Sequence, residues 1–587
     1  MGNDILLNNC CDKKEEHNII NDEKEKPILN SISKLPFNQL DFGKEQIKKL
    51  SNIPIRTKNV IRKITGSPFD LYKKIGLIAV GAYGKVYKVQ HKKTSQIRAM
   101  KIISKTQLKE SYYTEELIEN EIEVLKNINH PNIIKLYEVY HDNSNYYLIN
   151  EYCSEGELCK YLIDFKKFPE VIVRKLMFDI FSAISYLHSN NIIHGDIKLE
   201  NLTIDCNCHS NDKNEISRKN SSNSETSFQD ALTMENYNIY SSNNSTDNSE
   251  NNNNISEKNH DLYLLQNLQR YDLKLIDFGC SKIFSVKKNN FNDENIGTIT
   301  YSSPEVLKNN YTEKCDIWSC GVILYILLCG NVPFNGRDER DISQKIKIGK
   351  FDLNISPFDT ISNEGKDLIK QCLELNVNKR ISAKEALNHP WFDLWKSKEY
   401  FTNVNEYFMK KTINNLIMYK PINKLQKLAL TYFVHNFGNL NEIKNINKIF
   451  NLFNLSGNGK LSKEETYQGL RNYLNYSSED KINKKVNKIF KNIDNDNNGF
   501  IEYEEFARAA LDKRIFLDEN VLKFTFDFMD KDGSGEISLS ELKEIFGVKD
   551  DKESEILLKE IIDKIDTDGN GEISFKEYND MMKNIII

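Results

Sequence analysis

Hydrophobic and polar positions along this chain fall into stretches of different period. Residues 1–66 are polar with no sustained periodicity, so they predict a segment without a packed core. From Tyr72 a strand-turn-strand alternation begins around Gly81-Ala82-Tyr83-Gly84-Lys85-Val86. Ala99-Met100-Lys101 falls on a further predicted strand, and Glu121 on the amphipathic helix after it. Tyr146 to Ile149 predicts another strand. The most apolar run, Ile317 to Cys329, is too short to span a bilayer and reads as a buried helix. Between 205 and 260, Asn and Ser take 26 of 56 positions, few of the rest being aromatic, which predicts a disordered loop extruded from a strand pair over about 205–265. Loop closure cost grows only logarithmically with length, so such an insert is tolerable.

Beyond about 396 the pattern becomes helical throughout. Leu425, Leu428, Ala429, Tyr432 and Phe433 make an apolar stripe, with Lys410, Lys411, Lys420, Lys424 and Lys427 around it. Such a stripe suits either the groove of a calcium sensor or the surface of a large catalytic lobe. From 441 a unit repeats with starts at 454, 494, 530 and 566. Each repeat resembles the 12-residue EF-hand loop, which needs oxygen ligands at positions 1, 3, 5 and 9, a backbone carbonyl at 7, Gly at 6 and a bidentate Glu at 12. Asp494, Asp496, Asn498, Phe500 and Glu505 meet that pattern, as do Asp530, Asp532, Ser534, Glu536 and Glu541, and Asp566, Asp568, Asn570, Glu572 and Glu577. The first loop departs: Asn454, Ser456 and Asn458 replace the acids and leave Glu465 as the charged ligand, which predicts a weak or structural site. Apolar position 8, Leu461, Ile501, Ile537 and Ile573, predicts pairing of loop one with two and of three with four.

Composition narrows the function. The 587 residues exceed one core, and a net charge of -5 argues against a dedicated nucleic-acid binder. Charge is uneven: residues 441–587 hold 30 acidic and 22 basic side chains, so cations would gather there. The 11 cysteines lack the spacing of a disulfide framework, and no secretory signal precedes them, which predicts a reducing, cytoplasmic setting.

The chemistry concentrates in His194-Gly195-Asp196-Ile197-Lys198-Leu199-Glu200-Asn201 and Asp277-Phe278-Gly279, which resemble the catalytic loop and metal-binding motif of a serine/threonine protein kinase. That resemblance implies Asp196 as base with Lys198 beside it, and Asn201 and Asp277 as magnesium ligands. It implies ATP-binding roles for Gly81, Gly84, Val86, the Lys101–Glu121 pair and Glu151 in the adenine hinge, where Asn150 guards the back pocket. Glu157 and Glu200 match acids that bind basic residues before a target hydroxyl. Glu305 is expected to pair with Arg380, and Asp316 to Gly321 to anchor the catalytic loop. Ala79, Gly195 and Ser303 depart from the kinase pattern.

Together the halves resemble the calcium-dependent protein kinases of plants and protists. The resemblance implies an α+β fold: a bilobal kinase over 70–395, an autoinhibitory junction over 396–440 and an all-α domain of four EF-hands in two pairs over 441–587. It implies Mg2+ with ATP, Ca2+, protein substrates with basic residues near the target Ser or Thr, and activation by calcium. Met1-Gly2-Asn3 with Cys10 and Cys11 resembles an N-myristoylated, palmitoylated anchor on the cytoplasmic face of a membrane, although Leu6 stands where that motif wants Ser or Thr. The competing reading is a calcium-regulated pseudokinase, a scaffold or sensor that binds nucleotide without turning it over.

Overall fold

The computed structural model of the protein describes residues 55, 57–81, 84–109, 115–206, 271–284, 299–393, 406–438, 440–473, 478–494, 496–548 and 552–585. Gly2, Cys10, Cys11 and most of the Asn/Ser-rich insert lie outside them. Strands β1 (Arg62–Thr65), β2 (Tyr72–Gly81), β3 (Gly84–His91), β4 (Ile97–Ser104), β5 (Leu136–His141) and β6 (Asn145–Asn150) form one sheet in the order β1-β5-β6-β4-β3-β2. The period of two along β6 uses both faces. Leu148 packs with Ile118 and Ile122 of helix α1 (Glu115–Asn127), while Ile149 points to the other side among Val89, Met100 and Tyr137.

A helical lobe follows. Helix α2 (Glu170–Ser189) lies against α3 (Lys314–Cys329), whose residues from Cys315 to Cys329 are all buried, the reason its sequence is apolar all round. The short helix α4 (Ala383–Leu387) packs on α2. Strands β7 (Leu202–Cys206) and β8 (Tyr271–Leu275) pair antiparallel, Leu202 opposite Leu275, so the long insert leaves and returns at the end of one ladder. Arg380, fully buried, forks onto Glu305, with Nη2 to Oε2 at 3.0 Å, and clamps the end of the activation segment to this lobe.

The C-terminal half is helical: α5 (Glu406–Met418), α6 (Lys424–Asn436), α7 (Asn441–Phe453), α8 (Lys463–Tyr473), α9 (Glu479–Ile493), α10 (Tyr503–Ala510), α11 (Glu519–Met529), α12 (Leu539–Phe546), α13 (Lys552–Asp563) and α14 (Phe575–Lys583). Two-residue strands join its loops in pairs, with Leu461 opposite Ile501 and Ile537 opposite Ile573. Each loop's position-12 glutamate also closes a hydrogen-bonded box with the residue that starts the exiting helix; in loops three and four Ser538 and Ser574 exchange bonds with Glu541 and Glu577. Among the described residues no helix is long and apolar enough to cross a membrane.

The apolar stripe of α6 is buried among EF-hand side chains and not on the large lobe. Tyr432 stacks on Phe528 of α11 with ring centroids 3.9 Å apart, and Phe433 meets Phe516 at 5.3 Å. Its end reaches the small lobe, where His435 Nε2 lies 2.8 Å from the Leu136 carbonyl and Arg98 donates to the Asn436 carbonyl.

The expectation that residues 1–66 lack a packed core needs correction at its C-terminal end. Ile55 and Val60 are buried with the EF-hand helices, Ile61 is buried in the kinase core, and β1 adds a parallel strand beside β5 with Arg62 opposite Glu138. Isolated apolar residues in a polar stretch gave no period to read. They are buried by surfaces that come from far along the chain.

Candidate active site and calcium sites

The cleft is built from elements of both lobes. Lys101 on β4 places its ammonium 2.8 Å from Glu121 Oε1 on α1 and 3.5 Å from Asp277 Oδ1. Burial opposes the charge on Lys101, but the two carboxylates outweigh it and raise the lysine's pKa, while Lys101 in turn holds Asp277 below the usual carboxylate range. Asp277 has a φ of 64°, a left-handed backbone that costs a non-glycine residue energy and turns its carboxylate toward Lys101. Phe278 behind it is buried, edge-on to the His194 ring at 4.9 Å.

Asp196 sits at the centre of a second network. Its Oδ2 accepts from Lys198 Nζ at 2.6 Å and from Asn201 Nδ2 at 3.1 Å, and Asn201 Nδ2 also donates to the Asp196 carbonyl at 2.8 Å. The loop is fixed from below by Asp316 on α3, whose carboxylate accepts from the backbone N–H of His194 and of Gly195, each at 3.0 Å, and meets His188 Nε2 at 3.0 Å. Burial would raise the Asp316 pKa, but the His188 contact and these donors hold it low. His188 on α2 is a member of this network that the sequence did not reveal. It lies 128 residues from Asp316, and no local pattern links them.

Other predicted residues are placed as follows. Gly81 and Gly84 face each other at the β2–β3 turn, and Val86 is opposite Lys101 on β4. The Glu151 side chain is buried away from the cleft, 3.1 Å from Lys274 Nζ and within reach of the Lys135 backbone N–H, so Glu151 can serve a nucleotide only through its backbone. Glu157 and Glu200 both lie near Cys159, whose thiol burial pushes up to about 11 with help from their charges. Glu200 is exposed and Glu157 half-buried.

The donor sets suit the cations. Asn201 spends its amide nitrogen on Asp196, leaving the amide oxygen, and Asp277 supplies a carboxylate, both hard donors for Mg2+. In loop three, Asp530, Asp532 and Glu541 bring carboxylate oxygens within 4.8 Å of one another, and so do Asp566, Asp568 and Glu577 in loop four. Asp530 Oδ1 is buried without a hydrogen-bond partner, a cost that a bound cation removes. In loop two, Asp494 accepts from the backbone N–H groups of Asn498 and Gly499, and Glu505 lies outside any such cluster with Asp494 and Asp496. In loop one, Glu465 is taken up by Ser456 and Ser462, and Asn454 is buried.

Comparison with known proteins decides the family. The protein kinase domain family matches residues 72–216 and 232–392, and the EF-hand domain pair family matches 443–511 and 519–583. Calcium-dependent protein kinase 4 of Plasmodium berghei (strain Anka) is 35% identical over 488 residues, covering 82% of this chain and 80% of that protein. This chain belongs to the calcium-dependent protein kinase family. Calcium-dependent protein kinase 5 of Plasmodium falciparum is 32% identical over 522 residues, covering 89% of this chain and 77% of that relative. As a member of the family, this protein is a calcium-activated serine/threonine kinase that uses ATP with Mg2+ and binds Ca2+ through its EF-hands.

Proposed function

We propose that this calcium-dependent kinase transfers the γ-phosphoryl group of ATP with Asp196 orienting the acceptor hydroxyl and taking its proton, and Lys198 steadying the charge beside it. Lys101, held by Glu121, would bind the nucleotide phosphates, and Asn201 and Asp277 would hold Mg2+. When bound, Mg2+ neutralises charge on the phosphates. The observation that carries this reading is the joint placement of Lys101 between Glu121 and Asp277 and of Asp196 between Lys198 and Asn201. A pseudokinase would be expected to lack one of these groups, and none is missing.

Without calcium, the junction and EF-hands would hold the kinase inactive; calcium would open the helix pairs, which take up the junction stripe and release the cleft. Burial of that stripe in the EF-hand core supports this. Glu157 and Glu200 favour substrates with a basic residue before the target. Gly2 with Cys10 and Cys11 would anchor the chain to the cytoplasmic face of a membrane, two acyl chains holding what one holds only marginally. Phosphorylation of an arginine-containing peptide by ATP, with and without calcium, tests the catalytic reading. Nucleotide binding without turnover in saturating calcium would select the pseudokinase. Fractionation of Gly2→Ala and of a Cys10→Ser/Cys11→Ser variant tests the anchor, and membrane retention by both would rule it out.

A further inference from the structure

The four EF-hand loops share one plan, but loop one has different surroundings. In loops two to four the turn is exposed, and a Cβ added at Gly499, Gly533, Gly535, Gly569 or Gly571 would meet nothing within 4 Å. In loop one Gly457 and Gly459 are buried. A Cβ at Gly457 would come within 2.2 Å of Leu387 Cδ1 and 3.3 Å of Ser182 Cα, and one at Gly459 within 2.3 Å of Tyr186 Cδ2. These partners all belong to the kinase: Ser182 and Tyr186 stand one turn apart on α2, and Leu387 lies on α4.

The chemistry of loop one agrees with burial. Aspartates at 454, 456 and 458 would place several charges against helix α2, a cost that neutral Asn and Ser avoid. As Glu541 and Glu577 do in their own loops, Glu465 accepts backbone N–H groups inside the loop, from Ser456 at 3.0 Å and Ser462 at 2.9 Å. Polar contacts continue the same face. Lys444 Nζ lies 3.0 Å from Asp205 Oδ2, Asn129 Nδ2 donates to Glu504 Oε1 at 3.3 Å, and Ser185 Oγ reaches the Ser456 carbonyl at 3.5 Å.

We propose that loop one is a docking foot: its glycine face seats the EF-hand half on α2 and α4 of the large lobe, and this seating transmits calcium binding at the other loops to the kinase. The glycine face that meets open space in loops two to four is here given to protein contact, and neutral residues stand where acids would be brought against α2. Calcium then acts through a module seated on the large lobe by loop one and held at the small lobe by α6 and the segment before β1.

The test uses the full chain with calcium and two substitutions on opposite sides of the contact. Gly457→Asn keeps a backbone that loop two already tolerates, since Asn497 occupies the same loop position with a φ of 54°, but its side chain cannot fit against Leu387. Ser185→Leu obstructs the same contact from the kinase and leaves every EF-hand loop intact, so it decides the matter if Gly457→Asn fails to fold. Carbodiimide crosslinking of Lys444 to Asp205, read by mass spectrometry, reports seating. Calorimetry reports calcium stoichiometry, and peptide phosphorylation reports output. Both variants are expected to lose the crosslink and most calcium-stimulated activity with stoichiometry unchanged. A crosslink or an activity equal to wild type in both variants would overturn the proposal, as would loss of one bound calcium in Gly457→Asn with the crosslink intact. The activity arm rests on the kinase reading; an inactive wild-type chain would defeat that reading, while the crosslink would still decide the seating.

Discussion

Val60 and Ile61 are consecutive residues buried in different cores. Val60 lies among the junction and EF-hand side chains, and Ile61 in the kinase core that includes Ile118 and Ile122 of α1. Asn59 Nδ2 adds a bond to the Ile545 carbonyl of α12 at 3.3 Å, and the Arg62 guanidinium lies 4.5 Å from the Phe528 ring centroid. A short segment before the kinase therefore ties the helix that carries Glu121 to the third EF-hand. Val60→Ala removes two buried methyl groups, a loss of about 2 kcal/mol. Calcium-stimulated activity is expected to fall several-fold while calcium stoichiometry holds. Unchanged activity across a calcium titration would show that the strap does not transmit.

Asp196→Asn is expected to abolish phosphoryl transfer, by three orders of magnitude or so on the usual scale for a positioned acid–base group. Nucleotide affinity should survive, because Lys101 and Asp277 are linked to each other and neither is bonded to Asp196. Fluorescent-nucleotide binding beside single-turnover kinetics separates the two. Wild-type rates in the variant would remove Asp196 from its role.

Among the calcium loops, Glu541→Gln and Glu577→Gln are each expected to cost one bound calcium, since each removes charge from a cluster of three convergent carboxylates. Glu465→Gln should leave the stoichiometry unchanged because loop one carries Asn454 and Ser456 where loops three and four bring two aspartates to their glutamate. Titration calorimetry distinguishes them, and an equal loss from all three substitutions would contradict this ranking.

Three buried lysines make a contribution to stability that grows with pH over a defined window. Burial pushes the Lys135 ammonium down to about 8, against the pull of nearby Glu151, and Lys427 and Lys513 are likewise lowered by burial to about 8. The unfolded chain keeps these lysines protonated to about 10.4, so between these values it binds more protons at these sites than the folded one, and their contribution increases as pH rises above 8. Buried thiols act in the opposite sense, because burial raises Cys153, Cys320 and Cys372 and the unfolded chain releases those protons first. The lysine contribution is isolated by a difference between variants: from pH 8 to 9.5, the stability of Lys135→Met in denaturant melts is expected to fall relative to that of wild type. A difference of the opposite sign would refute it.

Gly195 stands where kinases that need activation-segment phosphorylation carry an arginine, and here its backbone N–H is used on Asp316. A phosphate on Thr298 or Thr300 would lack that bidentate partner. Thr298, like the acidic Asp293 and Glu294 of the same segment, lies outside the described residues. Phosphatase-treated protein is expected to be fully active in calcium, with both threonines unmodified by mass spectrometry. Activity that appears only with either threonine phosphorylated would overturn this.

What the sequence determined by itself was everything held by short-range pattern: the glycine turn, the strand alternation that splits Leu148 from Ile149, the apolar-all-round α3, and loops whose ligands recur at fixed offsets within 12 residues. Those features follow from periods of 2 and 3.6 and from local ligand geometry, so they are visible along one dimension. Tertiary structure alone decided what each surface meets. It turned the Glu151 side chain from the cleft to Lys274, brought His188 to Asp316, sent the α6 stripe into the EF-hand core, and buried Gly457 and Gly459 while Gly569 and Gly571 stayed exposed. Burial is a property of two surfaces, and the second surface in each case is supplied by residues with no periodic relation to the first.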